Sequence, residues 1–124
     1  MNNTQPDKIN LRDKLALFQE TWSPKIVGAL NGQHIKLAKL AGEFVWHQHA
    51  DEDEFFLVIQ GRLTIRMRDR DIHLEEGECC IVPRGVEHCP VAEQEAHVLL
   101  FEPETTVNTG ADDNDRTVRD LESI

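Results

Sequence analysis

Short apolar stretches separated by turn signals make up the sequence from Lys25 to Glu102, and this pattern constrains the fold more than any other feature. Leu63, Ile65 and Met67 alternate with polar residues, as in a strand with one buried face. Asn31-Gly32 is a strong signal for a two-residue hairpin turn. Since no helical spacing interrupts the series, the sequence predicts an all-β barrel or sandwich rather than a parallel α/β sheet. The other turn signals are Gly61, Asp69-Arg70-Asp71, Gly77 and Pro83-Arg84-Gly85.

One helix is predicted, in the N-terminal segment 1–24. The helix is expected to end at Ser23-Pro24, because the residue before a proline disfavours helical backbone. Asn10 is the expected N-cap, since its side chain can accept a hydrogen bond from the first turn. The apolar residues at helical spacing are Leu11, Leu15, Phe18 and Trp22.

The chain is predicted to be one domain, with a barrel over residues 25–103 and a C-terminal tail over residues 104–124. The tail is rich in Thr, Asn and Asp and has few apolar residues. Two interpretations of it stay open. It is either a disordered acidic tail or an extended arm that lies over the barrel or over a neighbouring subunit.

The acidic composition excludes several functional classes. The chain has 13 Lys+Arg against 23 Asp+Glu, a formal net charge of −10. Such a chain cannot neutralise a row of phosphates or an anionic membrane surface, so we expect neither a nucleic-acid nor a membrane partner. No apolar run approaches the ~20 residues of a membrane-spanning helix, and residues 1–7 are too polar to open a signal peptide. The three cysteines fit no disulfide framework, which favours reduced thiols and a cytoplasmic protein.

Three histidines and a glutamate form the main candidate site. His47 and His49 are two residues apart, so on a strand their imidazoles point to the same side. Glu54 follows a short turn and His88 follows another, which allows both side chains to face the same point. Three imidazoles and one carboxylate suit one borderline divalent ion such as Mn, Fe, Co, Ni, Cu or Zn. The residues at 51–53 are competing carboxylates, but the spacing favours Glu54.

The segments around these residues resemble the two motifs of the cupin superfamily. The second motif departs at its last position, where Ala92 replaces an asparagine that is not a ligand in the family. The matching positions are Gly42, His47, His49, Glu54 and Gly61 in the first motif, and Gly77, Pro83, Gly85 and His88 in the second. The resemblance implies a cupin-type jelly-roll barrel that binds one divalent transition metal per subunit through His47, His49, Glu54 and His88.

Residues outside the motifs extend this resemblance to small bacterial cupins that are labelled mannose-6-phosphate isomerase-like. They are Phe18 and Trp22-Ser-Pro24 before the barrel, and Asn108-Thr-Gly110 after it. The label reflects kinship of fold and implies nothing reliable about the substrate.

Strand parity predicts which side chains line the interior beside the site. Phe56 and Val58 share the parity of Glu54, and Val45 shares that of His47, so these three are the predicted pocket residues. Phe44 and Trp46 are expected on the opposite face, in the core or at a subunit contact. His34, His73, Arg66 and Arg68 are expected at the surface, whereas parity does not decide the position of His97. The cysteines are expected to be structural.

Three functions are compatible with this site. The favoured one is a divalent-metal-dependent, dioxygenase-like enzyme in which Glu54 is both a metal ligand and a catalytic general base. The alternative is a non-catalytic small-molecule-binding or accessory protein with a structural metal. A sugar or sugar-phosphate isomerase is less favoured, because related epimerases use a tyrosine and this chain has none. A phosphate would also need cations, for which the candidates are Arg66, Arg68 and Arg84.

We also expect a homodimer with twofold symmetry, to which Phe18 and Trp22 of the N-terminal segment contribute.

The negative charge is concentrated in two places. Residues 102–124 contain seven acidic and two basic residues, and Asp51–Glu54 are four consecutive acidic residues. A divalent ion bound beside that run would offset part of its repulsion, so metal is expected to stabilise the fold.

Overall fold

Seven antiparallel strands and one short helix form the part of the chain that the computed structural model describes, residues 6–124. The predicted all-β barrel is thus confirmed. The elements are α1 (Leu11–Leu15), β1 (Lys25–Leu30), β2 (Gln33–Glu43), β3 (Glu54–Gln60), β4 (Leu63–Met67), β5 (Asp71–Leu74), β6 (Cys79–Val82) and β7 (His88–Pro103). Neighbouring strands follow the order β1-β2-β7-β3-β6, and β4 pairs with β5 and β7.

The long strand β7 connects the two parts of the barrel. In its C-terminal half, Leu100 faces Lys36 of β2 on one side and Phe56 of β3 on the other. In its N-terminal half, β7 pairs with β4, where His88 faces Met67. Because one strand takes part in all three pairings, the sheet curves around a common interior.

That interior holds the hydrophobic core. Alternate residues of β3 are buried and half-buried, so its even-numbered side chains face inward, as the parity of Glu54, Phe56 and Val58 predicts. The buried core residues come from β2, β3, β4, β5, β6 and β7. They are Ala38, Leu40, Phe56, Val58, Leu63, Ile65, Leu74, Val82, Ala92, Ala96, Val98 and Leu100.

The helix begins as predicted but is shorter than predicted. Asn10 caps it by accepting a hydrogen bond from the Asp13 N–H at 3.0 Å, and the helix ends at Leu15 instead of continuing to Trp22. Tertiary contacts end it, because Phe18 is buried against Leu15, Val27 and Leu37 and its carbonyl accepts a hydrogen bond from the Lys39 ammonium at 2.7 Å. No helix within residues 6–124 is long and apolar enough to cross a bilayer.

Trp22 has a left-handed backbone with φ of 58°. This conformation costs a non-glycine residue roughly 1–2 kcal/mol, so the surrounding contacts must hold it. The Trp22 N–H donates to the Lys39 carbonyl at 2.8 Å, and its indole Nε1–H donates to the Ala41 carbonyl at 2.8 Å. The indole also stacks on Phe44, with ring centroids 4.7 Å apart. These hydrogen bonds and the stacking therefore hold the segment after the helix against β2.

Residues 104–124 lie against the barrel of their own chain. The Ile26 N–H donates to the Glu122 carbonyl at 2.9 Å, and the Ile124 N–H donates back to the Ile26 carbonyl at 3.0 Å. Thr109 is fully buried, although nothing in its sequence neighbourhood resembles a core pattern. In this structure the segment follows an irregular path, and its last residues are hydrogen-bonded to β1 of the same chain.

Candidate metal centre

The four predicted ligands converge in the interior of the barrel. One ligand atom from each of His47, His49, Glu54 and His88 can be chosen so that all four lie within 4.8 Å of one another. The Glu54 Oε1 atom is 3.3 Å from His88 Nε2 and 3.4 Å from His49 Nε2. All four residues are at most 5% exposed. The four side chains thus form a group that can hold one metal ion.

Backbone hydrogen bonds bring the two ends of this site together. His47 and His88 donate N–H groups to each other's carbonyls, at 3.0 and 2.9 Å. The Gly85 N–H donates to the His49 carbonyl at 2.8 Å, which ties the second turn to the first. The segment that carries His47 and His49 is not a regular strand, so the predicted strand geometry applies only where His47 pairs with His88.

Two carbonyls fix the tautomers of two ligand imidazoles. His47 Nδ1–H donates to the Val45 carbonyl at 2.9 Å, and His88 Nδ1–H donates to the Val86 carbonyl at 2.9 Å. In a neutral imidazole the other nitrogen then carries the lone pair. Each ring therefore presents Nε2 to the centre of the site, in the arrangement that metal-binding histidines usually have.

The chemistry of the donors fits a metal ion. Among the described residues, His49 Nδ1 is buried without a hydrogen-bond partner, and His49 Nε2 makes no hydrogen bond although it lies 3.4 Å from Glu54 Oε1. A buried polar atom without a partner is costly, and a metal bond would satisfy one of these two nitrogens. The donor set of three imidazoles and one carboxylate suits a borderline divalent ion.

The protonation states also favour metal binding. Burial, followed by the electrostatic influence of the neighbouring His88, lowers the pKa of His47 to about 4, so this imidazole is neutral at pH 7. Burial acts to raise the pKa of Glu54, but interactions with His49 and His88 outweigh it and hold this pKa well below its usual range. Metal binding requires neutral imidazoles and an ionised carboxylate, so neither His47 nor Glu54 has to lose a proton near neutral pH.

The competing carboxylates face away from the site. Asp53 accepts hydrogen bonds from Arg84, whose backbone N–H donates to it at 2.9 Å. Glu52 accepts a hydrogen bond from the Thr105 hydroxyl at 2.8 Å, and Asp51 is exposed. Within residues 6–124, Glu54 is therefore the carboxylate of this acidic run that reaches the histidines.

A cavity opens beside His47 and Glu54. It encloses about 380 Å³, part of it open to solvent, and the centre of a water molecule can move within about 40 Å³ of it. Its walls are almost entirely apolar. The other lining residues are Trp22, Pro24, Ala38, Leu40, Phe44, Phe56, Pro90, Leu100 and Asn108.

The three predicted pocket residues occupy three different positions in the structure, and one of them lines the cavity. Phe56 lines the cavity, and its ring centroid is 6.2 Å from that of His88. Val58 is buried deeper, in the hydrophobic core. Val45 is half-buried outside the cavity wall and contributes its carbonyl to His47. Parity worked on β3 but not around Val45, because that segment is not a regular strand.

Most of the other residues that line the cavity were not predicted from the sequence, and Phe44, Trp22 and Asn108 are three of them. Phe44 was expected on the opposite face, yet it is buried at the cavity wall with its ring edge-on to His47 at 5.4 Å. Trp22 and Asn108 belong to segments that carry the cupin resemblance, but their position at the cavity depends on contacts between distant parts of the chain. Trp46, by contrast, points away from the cavity and packs under Arg68, whose Cζ is 3.8 Å from the centroid of its ring.

The remaining titratable side chains lie outside the site. Arg66 and Arg68 are exposed and pair with Glu43 and Glu87. His97, which parity left undecided, interacts with Glu95 at 2.9 Å near the surface. Burial raises the pKa of the Cys89 thiol, and all three cysteines are free. The other two are Cys79 and Cys80, and the outlying histidines His34 and His73 are half-buried and exposed, respectively.

A buried ion pair adjoins Glu54. The Lys36 ammonium donates to Glu102 Oε1 at 2.8 Å, and the two side chains are only 2% and 3% exposed. Burial, followed by the negative charge of Glu54, raises the pKa of Glu102 well above its usual range. Neither Lys36 nor Glu102 was singled out by the sequence, because a charged residue within an apolar strand gives no sign of its partner.

Comparison with known proteins agrees with this geometry. The cupin domain family matches residues 33–102, which include all four candidate ligands. The structure is similar to a cupin-2 domain containing protein from Shewanella frigidimarina NCIMB 400, with 47% identity, a TM-score of 0.76, and coverage of 77% of this chain and 93% of that one. It is also similar to protein NMB1881 from Neisseria meningitidis, with 32% identity, a TM-score of 0.72, and coverage of 78% and 99%.

Two further relatives are similar over part of the sequence. The chain is 38% identical over 69 residues to the tetracenomycin polyketide synthase protein TcmJ of Streptomyces glaucescens. That alignment covers 53% of this chain and 45% of TcmJ. It is 33% identical over 63 residues to the uncharacterized protein YdbB of Bacillus subtilis. That alignment covers 50% of this chain and 56% of YdbB. The chain thus spans about half the length of these two relatives. With the family match over more than half of its residues, the antiparallel barrel and the similar solved structures, the chain belongs to the cupin family.

Proposed function

We propose that this protein is a divalent-metal-dependent, dioxygenase-like enzyme that acts on a small, largely apolar organic molecule with oxygen donors. The observation that carries the proposal is the placement of His47 and Glu54, which belong both to the ligand group and to the wall of an apolar cavity. Four protein ligands leave two positions of an octahedral ion, or one position of a five-coordinate ion, for an exogenous ligand. A bound divalent transition metal would supply Lewis acidity and, if it is redox-active, electron transfer.

The residues of this chain have distinct tasks in that reaction. His47, His49 and His88 would hold the metal. The lowered pKa of Glu54 keeps its carboxylate ionised at the cavity wall. We propose that its Oε atoms accept a proton from a substrate hydroxyl that approaches the metal. The aromatic rings of Phe44 and Phe56 would hold a planar substrate and exclude water. A polyketide synthase protein is among the similar proteins, and polyketides carry hydroxyl and carbonyl oxygens that can chelate a metal.

Metal analysis combined with oxygen uptake tests this proposal. The purified protein would be analysed for bound metal and reloaded separately with Fe²⁺, Mn²⁺, Co²⁺, Ni²⁺, Cu²⁺ and Zn²⁺. Catechols, flavonols and β-diketones would then be offered in an oxygen electrode. We expect oxygen uptake with at least one redox-active ion and its loss in Glu54→Gln. A protein that holds only Zn²⁺ and consumes no oxygen with these compounds would rule out the dioxygenase.

The second candidate is a non-catalytic cupin that binds a small molecule at a structural metal. The limited room in the cavity, about 40 Å³ for the centre of a water molecule, favours it. In that case a chelating ligand such as a β-diketone binds to the metal-loaded protein, as seen by calorimetry, and is recovered unchanged. Recovery of an oxidised product would decide for the enzyme.

A sugar-phosphate isomerase has less support. Of the residues that line the cavity within the described part of the chain, none is a lysine or an arginine. The arginines that the sequence offers as phosphate partners are engaged elsewhere, since Arg84 pairs with Asp53 and Arg68 covers Trp46. Binding of a sugar phosphate at the metal, competed by inorganic phosphate, would restore this hypothesis.

We also propose that two copies of the chain form a homodimer through the outer face of the sheet. Cross-strand neighbours on β6, β3, β7 and β2 make an uncharged apolar row there: Ile81, Phe55, Phe101 and Ile35. Ile81 is 63% exposed. The protein carries a net charge of −10, so self-association is least opposed at a face without charges. Phe18, expected in the contact, is instead buried in its own chain.

Light scattering after size exclusion tests the dimer. Ile81→Glu is expected to shift the protein to a monomer, because it places a charge in each half of the symmetric contact. Leu17→Glu is the matched control, since Leu17 is 66% exposed on the N-terminal segment. A monomeric parent protein, or a dimer broken only by Leu17→Glu, would contradict this face.

The three free cysteines support a reducing compartment, and we propose the cytoplasm.

A further inference from the structure

Glu102 lies between Lys36 and the metal ligand Glu54 on the inner face of the barrel. Phe55 of β3 faces Phe101 of β7, so in this antiparallel pair Glu54 and Glu102 are the next cross-strand neighbours. On its other side, Glu102 accepts the hydrogen bond from Lys36. The carboxyl group of Glu102, which is outside the candidate ligand group, thus separates a buried ammonium from the candidate ligand Glu54.

Lys36 has the position and the reach to approach Glu54. Lys36 faces Leu100, and Leu100 faces Phe56, so the lysine is one row away from the pair of glutamates on the same interior face. A lysine has a long, flexible side chain. Because its ammonium is buried, it must keep a hydrogen-bonded carboxyl partner, since an unpaired buried charge is strongly destabilising.

We propose that Glu102 holds Lys36 away from Glu54, so that the Glu54 carboxylate stays free to bind the metal ion. Without Glu102, the nearest buried carboxylate for the ammonium is Glu54. A metal ion would then have to displace a buried ion pair before it could gain its carboxylate ligand. Glu102 is a positioning residue in this view, and the inference rests on the proposed metal centre.

A double-mutant cycle with Co²⁺ as the probe tests the inference. The full chain would be stripped of metal, and Co²⁺ binding followed by calorimetry and by visible absorption. We expect Glu102→Gln to weaken Co²⁺ binding by roughly tenfold or more, in the range known for partners that orient metal ligands. The double variant Lys36→Met/Glu102→Gln is expected to return to within about threefold of the parent, because the competing ammonium is gone.

Restoration in the double variant separates this role from a merely structural one. A residue that only supports the fold, or that holds Glu54 directly, would leave the double variant as weak as the single one, and that result would overturn the inference. So would parent-like binding in Glu102→Gln. If Glu102→Gln does not fold, the double variant decides alone, since an uncharged replacement of a buried ion pair is usually tolerated.

Two controls complete the experiment. Lys25→Met removes another buried lysine, whose partners Glu20 and Glu122 lie outside the metal centre, and should leave Co²⁺ binding unchanged. A parent protein that binds no Co²⁺ would contradict the metal centre itself. A parent that binds Co²⁺ with no effect of Glu102→Gln would contradict only the role of Glu102.

Discussion

His47 and His88 exchange a pair of backbone hydrogen bonds, of 3.0 and 2.9 Å, that place their imidazoles side by side with ring centroids 4.3 Å apart. The pairing joins the segment after β2 to the start of β7. It brings together ligands that are distant in the sequence, so the site exists only when the barrel has closed.

Removal of His49 should abolish tight metal binding. Its side-chain nitrogens make no hydrogen bond within the described residues, and the polar contact that His49→Ala removes is the one with Glu54, another candidate ligand. We expect the dissociation constant for Zn²⁺ to rise by a factor on the order of 100, as for loss of a strong interaction of roughly 3 kcal/mol. His73→Ala, at an exposed position on β5, is the control. Full metal stoichiometry and affinity in His49→Ala would overturn the ligand assignment.

Metal should stabilise the folded protein. At a free metal concentration of 100 times the dissociation constant, binding adds about 2.7 kcal/mol to the free energy of unfolding. Thermal denaturation with and without Zn²⁺ should therefore show a higher Tm for the loaded protein. Glu54→Gln, which removes the carboxylate ligand, should reduce this shift. An equal Tm in the presence and absence of metal would contradict the prediction.

The metal-free protein should lose stability as the pH falls from about 6.5 to about 4. The pKa of His47 is lowered from 6.5 to about 4, so the unfolded chain takes up a proton in this range before the folded one does. The free energy of unfolding is not reduced by this proton uptake above pH 6.5, and at pH 4 it is lower by about 3 kcal/mol.

Other groups around His47 titrate too, and the raised pKa of Glu102 acts in the opposite direction. The measurement is therefore a difference, between urea unfolding of the metal-free parent and of metal-free His47→Gln at several pH values. The gap between the two free energies should narrow toward acid pH. A constant gap would show that His47 keeps an ordinary pKa.

Gly110 should be required for the docking of the C-terminal segment. Its φ is +67°, and a Cβ added there would overlap the carbonyl oxygen of Gln48, next to two candidate ligands. Gly110→Ala is expected to lower the free energy of unfolding by about 3 kcal/mol or more, through steric overlap added to backbone strain. Gly77→Ala is the control for strain alone, because its φ is +85° and nothing lies within 4 Å of its Cβ position. Equal losses in the two variants would contradict the overlap.

The strands and the group of four candidate ligands were predictable from the sequence because their signals are local. Alternation located β4, a short apolar run that ends before Gly61 located β3, and Asn31-Gly32 located the hairpin, where both residues have positive φ. The spacing of His47, His49 and Glu54 was enough to predict that their side chains lie close together, because only a short turn separates the two histidines from the glutamate.

The rest depended on contacts between distant residues. The helix stops early because Phe18 gives its carbonyl to Lys39, and helical spacing carries no information about that lysine. Phe44 reaches the cavity because Trp22 stacks on it from another part of the chain. The partner of Lys36 is Glu102 at the far end of β7, and no local pattern relates the two.

The pairing of β7 with β2, β3 and β4 has a consequence for the order of folding. A chain in which β7 has not yet docked has no His88 beside His47, so the complete group of four candidate ligands exists only after β7 has docked. An ion that binds only the completed barrel leaves the folding rate unchanged and slows unfolding. We therefore expect metal to lower the unfolding rate of the folded protein and not to speed its folding.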